Sequence, residues 1–183
     1  MKKIFLFSLL ATAFSSYGQS IQKSKKSKVI GHDDANSFMI NAGIGKNNVE
    51  SLPFYLNMDY FATNDLSFGY QMIFGGKNET INNWEYGTIN YSFGLTANYH
   101  LNTLLDVSYD WDFYIGANGG YNLGTTTPKN WNAPDINISS YDKFYGGGQI
   151  GVRYYFTDVF GVNVEGVLGS FRSGGNIGIT LKF

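Results

Sequence analysis

The chain has 183 residues, the size of one domain, with 13 basic and 14 acidic residues and no cysteine. That excludes a disulfide framework and thiol chemistry, and the near-neutral balance argues against a nucleic-acid surface. Charged residues are 15% of the chain against roughly 25% in an average soluble protein, while aromatics reach 17% and Gly contributes 23 residues. Many Gly-punctuated strands would produce that mixture.

In chain order, the first stretch is not part of the fold. Lys2 and Lys3 form a basic start, Ile4 to Phe14 an apolar run, and Ser16-Tyr17-Gly18 places small residues before a cleavage point. This is the pattern of a secretory signal peptide, residues 1–18. A run of about 11 apolar residues is too short to span a bilayer as a helix. Residues 19–35 carry Lys23, Lys25, Lys26 and Lys28 and form a polar, basic linker. All fourteen acids lie beyond it or at its end, so the remainder is net negative.

From Phe38 onward period-2 alternation recurs and helical periodicity does not. Eight segments follow one another. They are built on Phe38–Ile44, Phe54–Tyr60, Leu66–Phe74, Ile89–Leu101, Trp111–Asn122, Gln149–Phe156, Phe160–Glu165 and Ile177–Phe183. Brief breaks at Ala62–Asp65 and Thr157–Val159 alternate with more polar links: KNNVES, GGKNETINNWE, residues 124–143 and SFRSGG. NTLLDVSYD, after the fourth segment, is longer than a tight turn. The arrangement predicts an all-β, eight-stranded antiparallel up-and-down barrel over residues 36–183.

Alternation alone does not say which face is inside; volume does. An eight-stranded barrel encloses barely enough room for side chains. The apolar face is dominated by Phe, Tyr, Leu and Ile, whereas the other face is Gly, Asn, Ser and Thr with a few charges. Only the polar set fits the lumen, so the apolar set faces lipid and the barrel is transmembrane. Tyr60, Tyr99, Trp111, Phe113, Tyr154, Phe156, Phe160 and Phe183 are expected at the periplasmic rim. Phe54, Phe74, Tyr86, Tyr121 and Tyr145 are expected at the outer one, where amphipathic aromatics meet headgroups.

Two stretches carry a family resemblance. The last strand alternates through Ile179, Leu181 and Phe183, and Arg153 to Gly166 (RYYFTDVFGVNVEG) has the form of a penultimate membrane hairpin. Over residues 36–183 the chain resembles the small outer-membrane β-barrel and porin-like proteins related to OmpA and OmpX. The resemblance implies the cell outer membrane of a Gram-negative bacterium, outer-membrane lipids as surroundings, and recognition of Ile179, Leu181 and Phe183 by the barrel assembly machinery.

The chemistry-bearing residues are few. Asp59, Asp112, Arg153, Glu165 and Lys182 fall on the inward face and are expected to form a lumenal polar network, with Arg153 and Glu165 at similar heights. Charges in a narrow barrel pair because an unpaired one is costly. His32 and His100 are isolated, with no clustered metal ligands. The resemblance also takes in barrels that modify lipid A with a Ser/His/acid set near the bilayer surface, but His100 has no Ser two positions on and is expected at the wrong rim. GGGQIG (Gly146 to Gly151) matches a dinucleotide fingerprint in form but runs into a strand, so close backbone packing explains it. Trp84 and Trp131 are the candidate contacts in the exposed links, with residues 124–143 as the candidate partner surface. The expected function is an integral outer-membrane barrel with a structural, surface-contact or narrow-pore role, without catalytic site, cofactor or metal. The alternatives are a lipid-modifying enzyme and a soluble ligand-binding barrel.

Overall fold

The computed structural model describes residues 35–130, 132 and 142–183. The expected signal peptide (1–18), the linker apart from Ala35, His32 and Trp131 lie outside the described residues. Eight strands follow in order: β1 (Phe38–Asn47), β2 (Phe54–Phe61), β3 (Leu66–Ile81), β4 (Trp84–His100), β5 (Trp111–Pro128), β6 (Lys143–Tyr155), β7 (Phe160–Gly169) and β8 (Gly174–Lys182). A one-turn helix, α1 (Asn102–Leu105), interrupts the link between β4 and β5. Each strand pairs antiparallel with the next, and β1 pairs with β8 from Met39↔Lys182 to Asn47↔Gly174, closing the sheet. Closure satisfies every ladder edge, which a sheet in hydrocarbon requires.

Parity sorts the side chains as the volume argument demands. On β3, Phe68, Tyr70 and Phe74 are 50%, 37% and 49% exposed, while Ser67 and Gln71, of the opposite parity, are buried. The same parity along the strands gives an apolar outer face and a lumen rich in Asn, Ser, Thr, Gln and Gly, with Tyr55, Ile73 and Tyr114 among its larger inward side chains. Where the lumen is tightest only Gly fits: a Cβ on Gly151 would lie 2.2 Å from the Tyr114 ring. GGGQIG is therefore strand, within β6.

The end at which β1 begins and β8 finishes, here the near end, has an aromatic belt. Trp111 packs against Phe113 and Tyr154 at centroid distances of 5.7 and 4.8 Å, and Phe38 against Tyr60 at 5.0 Å. At the far end, Phe74 meets Tyr91 at 5.1 Å and Tyr121 meets Phe144 at 4.8 Å. Tyr86 and Tyr145 do not join that outer belt. Both occupy inward parity and are buried, 2% and 9% exposed.

The strands differ in length more than the alternation suggests. β3, β4 and β5 have 16, 17 and 18 residues, whereas β2 has 8 and β8 has 9. β2 leaves β3 at Phe54↔Phe74, but β3 and β4 stay paired to Ile81↔Trp84, and β4 and β5 to Tyr86↔Pro128. A three-stranded wall thus extends about 20 Å past the far rim, at roughly 3.3 Å per residue. Asn82 and Asn83, both at positive φ (51° and 68°), make its tight turn. GGKNETINNWE is strand and turn rather than a link, Trp84 opens β4, and residues 124–128 belong to β5. The outward side chains there are Asn78, Thr80, Glu85 and Thr127, so the apolar alternation stops although backbone pairing continues.

Candidate functional site

The lumen contains two buried ionic clusters, one toward each end. In the near-end cluster, β6 carries Arg153, β2 Asp59 and β5 Asp112, all inward and each at most 2% exposed. Arg153 donates from Nη1 to Asp112 Oδ2 at 2.6 Å and from Nε to Asn41 Oδ1 at 3.3 Å, with Nη2 3.5 Å from Asp59 Oδ2. Its guanidinium lies 4.0 Å over the Tyr114 ring. One cation faces two carboxylates, and neutral donors complete the balance. Asn41 and Thr96 donate to Asp59 at 3.0 and 3.2 Å, and Asn102 to Asp112 at 3.1 Å. Such dense hydrogen bonding is what lets buried charges persist.

The structure brings Asp59, Asp112 and Arg153 together and sets Glu165 and Lys182 apart from them. The strand register pairs Arg153 with Asn163 and places Glu165 opposite Gly151, two residues deeper. Tyr114 fills the interval, donating to Glu165 Oε2 at 2.8 Å while its ring receives the guanidinium. The link between Arg153 and Glu165 is therefore indirect. Lys182 stands at the near mouth, its Nζ 5.6 and 5.7 Å from the Tyr109 and Tyr155 ring centroids. Below the charges, Met39, Phe61 and Tyr155 form an apolar floor.

His100 has partners that sequence neighbours could not disclose. Its Nδ1 lies 2.7 Å from Asp112 Oδ1 and its Nε2 2.9 Å from Ser67 Oγ, which β3 supplies. A carboxylate only accepts, so Nδ1 carries the proton toward Asp112 and Nε2 accepts the Ser67 hydroxyl when the ring is neutral. The connectivity is that of a serine nucleophile, a base and an orienting acid. Ser67 and His100 are 0% and 1% exposed and Phe61 covers the imidazole at 4.5 Å. Enclosed in this way, the trio forms a packed hydrogen-bonded unit. Among the described residues, no group of three His, Asp or Glu could hold a metal.

The far-end cluster comes from links rather than strands. Glu50, between β1 and β2, and Arg172, between β7 and β8, fold back into the lumen and are 1% and 6% exposed. Arg172 donates from Nε to Glu50 Oε2 at 2.9 Å and from Nη2 to Glu50 Oε1 and, at 3.0 Å, to Ser92 Oγ. Asn47 Oδ1 accepts from the backbone of Val49 and Glu50 at 2.8 and 2.7 Å, curling the first link inward. Asn48 ties it to the second link, accepting from Ser173 N at 2.7 Å. Val49, Tyr145 and Phe171 pack over the pair. This plug was absent from the sequence reading. Glu50 in KNNVES and Arg172 in SFRSGG were its only signal.

Of the surface candidates, Trp84 is half-buried at the tip of the three-stranded wall, and Trp131 lies outside the described residues with residues 133–141. Ile179 and Leu181 share outward parity with Ile177 on β8, Ile179 being 46% exposed; Phe183, next in the chain after β8, is 53% exposed.

The fold is that of the small outer-membrane β-barrels: closed, eight-stranded, antiparallel and up-and-down. No family model matches the chain, and no curated protein does. Among solved structures it is similar to the outer membrane protein OprG from Pseudomonas aeruginosa, with 12% identity, 85% of this chain and 99% of that one covered, and a TM-score of 0.59. It is also similar to the N-terminal β-barrel domain of Pseudomonas aeruginosa OprF, with 18% identity, coverage of 81% and 98%, and a TM-score of 0.51. At such identities the likeness is one of fold.

Proposed function

We propose that this chain is a non-enzymatic integral protein of the outer membrane, with a structural and surface-contact role rather than one in solute passage. The observation that carries this reading is a lumen crossed by successive packed layers beneath an apolar outer face. An apolar floor, a charge layer, the Tyr114 level and the Glu50–Arg172 plug succeed one another. A packed eight-stranded interior leaves no aqueous path. In the membrane the near end faces the periplasm and the wall of β3, β4 and β5 projects outward. The wall supports the surface-contact part of the reading, since it lifts Trp84 and the start of the link after β5 clear of the headgroups. Residues 124–143, with Trp131, are the proposed partner surface. A cleaved leader delivers the chain, and the barrel assembly machinery engages Ile179, Leu181 and Phe183. The sealed Ser67 hydroxyl speaks against a lipid-modifying enzyme, and the apolar exterior against a soluble ligand-binding barrel.

The test is to separate the membranes and run the outer-membrane fraction unheated and boiled on a denaturing gel. A band in that fraction that shifts on boiling, from protein that carries no current in planar bilayers, is the expected result. Recovery in the soluble periplasm without a shift would overturn the membrane assignment. Steady single-channel current from the intact chain would overturn the filled lumen.

A further inference from the structure

We infer that a cavity beside the far-end plug is a binding site for one small anion of halide size, held by Arg172 and Tyr145. Nothing in the structural and surface-contact role requires such a site. Arg172 spends the Nε–Nη2 edge of its guanidinium on Glu50 and Ser92. Its Nη1 is buried and has no hydrogen-bond partner, and neither has the buried Tyr145 hydroxyl. Both residues are more than nine-tenths buried, at 6% and 9% exposure. Both line one cavity, of ≈ 20 Å³ for the centre of a water-sized sphere, together with Asn47, Gln71, Asn118 and Asn176. A buried donor left unmade costs about 1–3 kcal/mol, and more when charged. Two such donors on residues that line one cavity are unlike the rest of this lumen, where most polar groups are paired.

The donors select the ligand. A guanidinium only donates, and a phenol hydroxyl beside it donates to a shared acceptor. A cation is therefore excluded, and an acceptor of one atom's bulk fits the volume, since a water needs about 10–15 Å³ on this measure. Charge favours an anion over water. Glu50 occupies the Nε–Nη2 edge of the guanidinium, away from Nη1, and the exposed Lys143, its Nζ 4.5 Å from the Phe171 ring centroid, adds positive charge from the surface. Glu165 is the other carboxylate nearby. Its oxygens are taken up by Tyr114 and by Asn176, the latter at 3.3 Å. Tyr55 does not line the cavity, and its hydroxyl donates to Asn163.

The experiment uses the purified barrel in detergent with bromide as the probe. Crystals grown in bromide should show a single anomalous peak between Arg172 Nη1 and the Tyr145 hydroxyl. In solution the unfolding midpoint should rise with bromide relative to gluconate at fixed ionic strength. Tyr145→Phe, which keeps the ring and the plug, should raise the bromide concentration for half that rise about tenfold, the worth of one hydrogen bond to an anion. Water alone at the site, a bromide peak elsewhere, or a midpoint response identical in Tyr145→Phe would each overturn the assignment. Should Tyr145→Phe fail to fold, the wild-type peak decides alone.

Discussion

The two ends of the lumen solve one problem in different ways. At the near end Arg153, Asp59 and Asp112 project from β6, β2 and β5, so backbone pairing fixes each charge independently of the others. At the far end Glu50 and Arg172 hang from links, and their own ion pair, with the Asn48–Ser173 bonds, holds those links inward. The strand-borne cluster can come apart only with the barrel, whereas the link-borne one can separate while the barrel stands. Where a charge sits, and not only what it touches, decides whether its pairing contributes to global stability or to local closure.

Arg153→Met should have the largest effect. It leaves Asp59 and Asp112 buried without their cation and should lower stability by about 3–5 kcal/mol, read as the urea midpoint of the detergent-solubilised barrel. A loss near zero would mean that both carboxylates reach water and that the Met39–Phe61–Tyr155 floor does not seal the near end. Tyr114→Phe should follow at about 1–3 kcal/mol, because it strips Glu165 of its 2.8 Å donor while keeping the ring under Arg153. An unchanged midpoint would show that Asn176 alone satisfies Glu165.

How much of this was legible in the residues follows the same division. The barrel, its strand number and its inside-out polarity were legible because parity is a strict consequence of the pleat. Asp59, Asp112 and Arg153 inherited their inward placement from that parity. The expected height match of Arg153 and Glu165 failed by one pair of residues, because register depends on the turn and not on alternation. Tyr86 and Tyr145 went astray at strand ends, where an aromatic was read by residue type and not by position. β3 to β5 were read too short because polar side chains face outward once the strands clear the lipid. Ser67 reached His100, and Glu50 reached Arg172, only through the fold. Links have no period, and nothing local reports that one turns back inside.

The plug offers the middle test. Glu50→Gln with Arg172→Gln removes both charges together, so neither is stranded, and the loss should be about 1–2 kcal/mol. The chain has no cysteine, so Asn118→Cys, in the cavity wall below the plug, gives a single reporter. Its reaction with a small water-borne thiol reagent should quicken severalfold in the double variant, while bilayer current stays absent because the near-end layer is intact. Equal destabilisation by the double variant and by Arg153→Met would erase the distinction between the two ends.

Lys182→Gln should have the smallest effect. Lys182 has inward parity on β8, the same as Thr180, yet it sits at the mouth, where its ammonium lies 5.6 and 5.7 Å from the Tyr109 and Tyr155 ring centroids. A partly wet cation–π contact of that kind contributes about 0.5–1 kcal/mol, and water can take over the charge when the rings do not. The same inward parity therefore carries very different energetic weight at Arg153 and at Lys182, according to depth. A midpoint loss for Lys182→Gln as large as that for Arg153→Met would place Lys182 electrostatically within the Asp59–Asp112 layer. The charge network would then extend to the near mouth.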